Sequence, residues 1–447
     1  MIELPLLMFA GLILLIFAGI PVAFSMLIVS FVVTALHFGF MPQIVNIFVQ
    51  KTDEVASNYV LGAVPLFILM GSILERSGIA ERLLSAVQLW THRLPGGLAA
   101  GTIVLCIIFA AVSGVIGATE SVVGLIAIPT MMRHNYARDL IAGTICAGGS
   151  LGTIIPPSVI VILLAPVANV DVGYLFMGIM VPGLCLALLY LIYVVVRCAL
   201  RPQDGWRPVA VAQAIPLAEK LRVSITALVP PLLLIFAVLG SIVFGLATPT
   251  EAAAVGTAGA FILALGSGTL TSGALREAAL STVSVTAMIT LILLAGNIFA
   301  SVFSVSGGLA ATERFINSLN TAPMTIVLLL LLVAFVAGFV LDIVSIILIL
   351  IPIAIPVVME LDIHGLEPPL LKAWFCVVFL VTVQTSYLTP PLAPAIFYLR
   401  AIAPPQIRLR DMYVGVVPFI AIQLILVLSL LMFPALALGL PTWIRGM

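Results

Sequence analysis

Read for its apolar and polar positions, the chain is a series of long apolar blocks with few interruptions. Residues 5–40 are nearly all apolar and are broken by Pro21, which predicts either one kinked helix or two spans. Residues 76–95 differ. There Arg76, Glu81, Arg82 and Arg93 interrupt apolar residues at helical spacing, the pattern of an amphipathic helix lying at an interface. Apolar blocks follow at 98–115 and 119–132, then a polar turn from Arg133 to Asp139, then a run from 140 to 168 split by Pro156-Pro157. The longest polar stretch, Arg197 to Arg222, reads as a loop. Beyond it, spans at about 223–247 and 250–266 lead through a more polar stretch near 267–280 to a span at 281–303. The segment holding Glu313 and Arg314 is again amphipathic. Apolar blocks at 324–341 and 343–359 follow, then a run over 370–399 split by Pro390-Pro391, and a last span over 412–433.

A spanning helix needs about 20 apolar residues, so these blocks predict roughly ten to twelve crossings. Composition agrees. Of 447 residues, 63% are hydrophobic and 8% charged, against about 45–50% and 25% in soluble domains. That excludes a soluble globular or a disordered protein. Solid apolar runs such as Ile326–Val340 exclude the weak alternation of a membrane β-barrel. The fold class is an all-α polytopic protein of the lipid bilayer. Net charge is zero, with 18 basic and 18 acidic residues, so nothing points to nucleic acid. Glu3 stands where a signal peptide carries positive charge, which makes the first block a genuine span. Cys106, Cys146, Cys185, Cys198 and Cys376 are scattered without metal-ligand spacing and read as small core residues.

The order of parts repeats. Glu81-Arg82 recurs as Glu313-Arg314 at an offset of 232, and Pro156-Pro157 as Pro390-Pro391 at an offset of 234. Each half runs span, amphipathic helix, two spans, proline-split segment. The expected division is a first repeat over 1–200, a linker over 201–222 and a second repeat over 223–447. Lys and Arg placement sets orientation. No basic residue precedes Lys51, which puts the N-terminus outside, and Arg133, Arg138, Arg197, Arg201, Arg207, Lys220 and Arg222 fall inside. Repeats of opposite orientation fit this. The same scheme leaves Arg400, Arg408 and Arg410 outside, against the rule.

The proline-split runs carry the chemistry. They read GGSLGTIIPPS (148–158) and QTSYLTPPLAP (384–394). Proline removes a donor and pushes the preceding residue out of the helical region, so each helix must break. Freed carbonyls persist within a membrane only when buried in protein or lining a cavity. The expectation is two re-entrant hairpins, at about 138–168 and 370–399. Carbonyls with Ser and Thr hydroxyls make an oxygen cage for a small hard cation, and helix N-termini offer positive ends to an anion. Paired broken helices in an inverted repeat point to a transporter site. Two acids, Glu120 and Asp342, lie inside apolar blocks, each preceding its own half's hairpin. An acid there faces a cavity or a partner. Thr248-Pro249-Thr250-Glu251 reads as a capping box. Gly148 to Gly152 matches a nucleophile elbow, but in an apolar helix without a nearby histidine base. No HExxH or Walker A pattern occurs. An intramembrane hydrolase is thereby the remote alternative, and ion-coupled carriage is the reading that remains.

GSLGTIIPPS at 149–158, GLATPTEAAAVG at 245–256 and LTPPLAPAIF at 388–397 together resemble the large membrane subunit of the tripartite ATP-independent periplasmic (TRAP) transporters, over essentially the whole length. The resemblance implies a sodium-driven elevator-type transporter of the bacterial or archaeal inner membrane, not an enzyme, with a scaffold and a moving transport domain each built from both repeats. It implies three partners: a small four-helix membrane subunit, here expected as a separate chain, a periplasmic binding protein, and a small carboxylate substrate. Sodium would be held by Ser113, Thr119, Ser150 and Gly152 at one site and by Gly338, Asp342, Ser386 and Thr389 at the other. The substrate would lie near Thr153, Ser158 and Pro391. A stand-alone sodium–anion symporter of the same superfamily is the alternative. The chain departs from the family pattern at two places, Gln384-Thr385-Ser386-Tyr387 and Glu120.

Overall fold

In a computed structural model the described residues are 3–38, 42–113, 117–205, 216–268, 270–319, 321–391 and 393–445. Among them there is no strand. The first part comprises α1 (Glu3–Phe17), α2 (Val22–Phe38), α3 (Pro42–Ala56), α4 (Ala63–Arg76) and α5 (Ile79–Thr91). Next come α6 (Gly97–Ser113), α7 (Ala118–Arg133), α8 (Arg138–Ser150), α9 (Val159–Ala168) and α10 (Val172–Leu200). The second half holds α11 (Leu217–Val243), α12 (Pro249–Gly266), α13 (Ser272–Val305), α14 (Gly308–Leu319), α15 (Pro323–Ala337) and α16 (Ile343–Met359). It continues with α17 (Pro368–Leu388), α18 (Pro394–Ile402), α19 (Leu409–Met432) and α20 (Ala435–Arg445). Among the described residues, seven helices are long and apolar enough to cross a membrane: α4 with its preceding turn, α10, α11, α12, α13, α17 and α19.

Several local expectations take definite form. The apolar block at 5–40 is two helices, α1 and α2, parted at Gly19-Ile20-Pro21. The amphipathic segment is α5, which buries Ala80, Leu83, Leu84 and Val87 and packs on α6 and α11. Its Trp90 indole donates to Ser224 Oγ at 2.8 Å. The stretch at 267–280 is not a connection. Thr271 caps Ala274 N at 3.1 Å, and from there one 34-residue helix, α13, runs unbroken. Its polar first turns lie outside the bulk of the fold, where Glu277 pairs with Arg76 at 3.5 Å. The expected loop at 197–222 begins later, after α10 ends at Leu200, and residues 206–215 lie outside the described set.

The main correction concerns which segments re-enter. Arg197, near the end of α10, reaches Asp139 at the start of α8 at 2.6 Å and Asp204 at 3.0 Å. The end of α10 and the start of α8 therefore share one end of the molecule. Helix α10 has 29 residues, about 43 Å of rise, so its start lies at the opposite end. A short turn at Asn169–Asp171 joins that start to α9. Hence α8 and α9 run from one end to the other. The segment at 138–168 is a crossing helix with a break, not a hairpin. The hairpin is α6–α7 instead. Tyr136, just after α7, accepts at its hydroxyl oxygen from the start of α6: Leu98 N donates to Tyr136 Oη at 3.2 Å. Thr102 of α6 sits beside Met131 of α7.

The second repeat follows suit. Ile326 of α15 packs against Val357 of α16, so these helices open at a common end. Trp374 near the start of α17 donates to Leu430 O, at the end of α19, at 2.9 Å. The other end of α19 has Gly415 against the Asp139 carbonyl at the start of α8. The path from α17 through α18 to α19 thus crosses the molecule, and the expected hairpin at 370–399 is the second broken crossing. The physical reason is that each double proline interrupts its helix without turning the chain back. The arms α6, α7, α15 and α16 have 17, 16, 15 and 17 residues, about 23–26 Å of rise against a hydrocarbon core of about 30 Å. They reach in and return. This also removes the anomaly of Arg408 and Arg410, which now share the end that carries Arg133, Arg138, Arg197 and Arg201.

Candidate functional site

Each hairpin tip faces the break of the crossing helix in its own repeat. In the first repeat α8 ends at Ser150, a 3-10 turn covers Leu151–Thr153, and α9 starts at Val159. Ser150, Gly152, Thr153 and Ser158 are all buried. Ser150 Oγ donates to Ala147 O at 2.8 Å, Thr153 Oγ1 to Ser150 O at 2.8 Å, and Ser158 Oγ to Thr153 O at 3.0 Å. Each hydroxyl spends its proton on a carbonyl, which leaves its oxygen as an acceptor. Thr119, in the first turn of α7, is buried, and its Oγ1 lies 3.9 Å from where a Cβ at Gly152 would stand, beside Ala110. Ser113 ends α6; its side chain lies outside the described set, as do residues 114–116.

In the second repeat Gly338 packs directly on Ser386, so closely that any Cβ at 338 would overlap the serine side chain. Ser386 Oγ donates to Val383 O at 2.6 Å and Thr389 Oγ1 to Thr385 O at 2.7 Å. Asp342 caps α16: it accepts from Ser345 N at 3.1 Å and from Ser345 Oγ at 2.5 Å. Thr389 is half-buried and Pro391 exposed, at the turn after α17. Both double prolines, Pro156-Pro157 and Pro390-Pro391, have cis bonds.

The two breaks meet. Gln384 Nε2 donates to Ser150 Oγ at 3.4 Å, and Tyr387 Oη donates to Glu120 Oε1 at 3.2 Å. The structure thus gathers Thr119, Ser150 and Gly152 at one tip and Gly338, Asp342 and Ser386 at the other, side by side. Thr389 and Pro391 stand at the margin. Beside the second tip is a cavity of about 170 Å³, lined by Asp342, Ser386 and Tyr387 and by Val285, Met288 and Ile289 of α13. Thr153, Ser158 and Pro391 are not in its lining, although their neighbours Val159 and Pro394 are.

Glu120 and Tyr387 marked departures in the sequence, and they turn out to be contact partners. Tyr398, which also lines the cavity and stacks over Gly117, and the α13 residues had no sequence signal. They are ordinary apolar or aromatic positions that only the fold brings there. The site's donors are oxygens. Among the described residues no three His, Cys, Asp or Glu side chains group to hold a metal. Carbonyl, hydroxyl and carboxylate oxygen suits a hard cation.

The chain matches the profile of the tripartite ATP-independent periplasmic transporter, DctM component, over residues 9–436. It belongs to that family. Among relatives, the C4-dicarboxylate TRAP transporter large permease protein DctM of Pseudomonas aeruginosa is 31% identical over 91% of each chain. The sialic acid TRAP transporter large permease SiaM of Vibrio cholerae is 27% identical over 97% of each. The ectoine TRAP transporter large permease TeaC of Halomonas elongata is 28% identical over 96% of this chain and 97% of its own. A solved structure, the YdaH transporter of Alcanivorax borkumensis, covers 98% of both chains with a TM-score of 0.62 at 16% identity, which is a likeness of fold. The chain is therefore a TRAP large permease, a multi-pass membrane protein of a family of transporters rather than enzymes.

Proposed function

We propose that this TRAP large permease carries a small organic acid inward by sodium-coupled secondary transport with an elevator movement. A periplasmic binding protein delivers the substrate, and a small membrane subunit of about four helices completes the permease. The carrying observation is the pair of hairpins entering from opposite ends, each tip facing the broken crossing helix of its own repeat. Interrupted helices in corresponding halves are where transporters build sites. The relatives' names span a dicarboxylate, a sialic acid and ectoine, so an organic acid is the class that the family supports most broadly.

The residues fit a hard monovalent cation. Thr119, Ser150, Gly152 and the end of α6 at Ser113 would hold one, and Gly338, Asp342, Ser386 and Thr389 another. Bound there, sodium supplies positive charge beside an anionic substrate, in a cavity whose described lining has no basic residue. In the cavity lining, Asp342, Ser386 and Tyr387 would orient the substrate, and the α13 residues would exclude water. Helices α6–α10 and α15–α19 would form the moving body against a scaffold of α1, α2, α4 and α11–α13. Arginines at the end that joins α10 to α8 favour a cytoplasmic placement of that end. The lack of Lys and Arg before Lys51 favours a periplasmic N-terminus.

The test is uptake into liposomes holding the permease with its small subunit, with binding protein and labelled acid outside. An inward sodium gradient should drive accumulation that a potassium gradient does not. Accumulation indifferent to sodium and driven by a proton gradient would overturn the coupling ion.

A further inference from the structure

Glu120 is the third residue of α7 and is completely buried. One oxygen, Oε1, accepts the Tyr387 hydroxyl at 3.2 Å. The other, Oε2, is buried and has no hydrogen-bond partner. The backbone N–H groups of Gly117 and Glu120 face the carboxylate at the start of the helix. A helix end supplies only about half a unit of positive charge. No Lys, Arg or His among the described residues pairs with Glu120. A buried carboxylate without a full counter-charge costs several kcal/mol, so the group is neutralised either by its own proton or by a cation that the chain itself does not supply.

The surroundings say where that charge belongs. Gly149, in the last turn of α8, lies so close that a Cβ there would overlap Glu120 Cγ and Cδ. Ser150 follows it, and Gln384, whose own Oε1 is buried without a partner, reaches Ser150 from the second repeat. Thr119, the preceding residue, faces Gly152. Glu120 therefore packs against α8 beside the first break, with Oε1 toward Gly149 and Tyr387 and with Oε2 buried and unpartnered.

We propose that Glu120 is a direct ligand of the cation at the first tip, giving Oε2 to it while Oε1 stays on Tyr387. The inference rests on the sodium reading above and adds to it a charged ligand. The first site then carries a full negative charge, and through Tyr387 its occupancy is tied to the wall of the cavity in the second repeat.

The experiment is thermal unfolding of the purified full-length permease in detergent. Sodium is titrated against choline at constant ionic strength, with lithium and potassium as comparison cations. Wild type, Glu120→Gln, Glu120→Asp and Tyr387→Phe are compared. Glu120→Gln keeps the shape and an acceptor for Tyr387 but removes the charge. The sodium concentration at half-maximal stabilisation should rise by at least about tenfold, the scale of losing a group that tunes a metal site. Glu120→Asp should rise by less, and Tyr387→Phe should stay within a few-fold of wild type. An unchanged midpoint in Glu120→Gln overturns the proposal, as does a Tyr387→Phe shift equal to it, which would make the tyrosine contact the cause. If Glu120→Gln does not fold, Glu120→Asp decides: an unchanged midpoint overturns the ligand. A wild-type protein with no sodium-specific stabilisation takes down the sodium reading itself. A normal wild-type response retained in the variants takes down only Glu120.

Discussion

Glu120 and Asp342 hold matching places in the two repeats, each at the beginning of the returning arm of a hairpin. Their surroundings differ. Asp342 has both oxygens engaged by Ser345 and faces the cavity beside α13. Its carboxylate is an N-cap, a role a neutral Asn fills nearly as well. Glu120 is completely buried, with one oxygen unpartnered and the other tied to the opposite repeat. The inverted repeat places an acid at each tip, but the packing surrounds the two acids differently. An acid that caps a helix is worth its cap. A buried acid without a counter-charge makes sense through what it binds.

The largest effect that tests this contrast is steric. Gly149→Ala should destabilise by about 1–3 kcal/mol, the usual cost of overpacking, because its new Cβ overlaps the Glu120 side chain. Gly338→Ala should cost a similar amount against Ser386. Relief is the sharper measurement. Thermal unfolding of Gly149→Ala with Glu120→Ala, and of Gly338→Ala with Ser386→Gly, should show coupling of about 1 kcal/mol or more in each pair. Strict additivity at 149 would mean that Glu120 is free to move away, and its burial against α8 would lose its meaning.

Much of this was legible in the sequence. The membrane class, the repeat, the two breaks and the Thr248 capping box could all be read, and the box closes with Thr248 N donating to Glu251 at 2.8 Å. The direction of each segment could not be read. A double proline says that a helix breaks, not whether the chain continues or turns back. Arm length did not settle it, since α1 and α2, with 15 and 17 residues, are no longer than the arms. Arg408 and Arg410 did carry it, as basic residues that fit only if 370–399 crosses. The Glu120–Tyr387 contact joins residues 267 apart, and no local pattern predicts such a pairing. Ser386 could be placed at a break from its prolines, but its contact with Gly338 follows only from the hairpin's return.

A smaller effect separates cap from charge at the second tip. Asp342→Ala removes the acceptor for Ser345 N and should cost about 1 kcal/mol in unfolding free energy. A loss several times larger would mean that Asp342 is held by more than its own helix.

The smallest effect on stability is expected from Asp342→Asn, and it is the most informative. Asn can cap α16 as Asp does, accepting from Ser345 N through its side-chain oxygen, so unfolding in sodium-free buffer should change by only a few tenths of a kcal/mol. What Asn lacks is the charge. If Asp342 serves the second cation site as well as its helix, the sodium response of Asp342→Asn should weaken while sodium-free stability holds. In Glu120→Gln, by contrast, sodium-free stability should hold or improve, because an uncompensated buried charge is gone. Equal behaviour of the two neutral variants in sodium-free buffer and in sodium would mean that the two acids are electrostatic equivalents. Their different burial would then be packing alone.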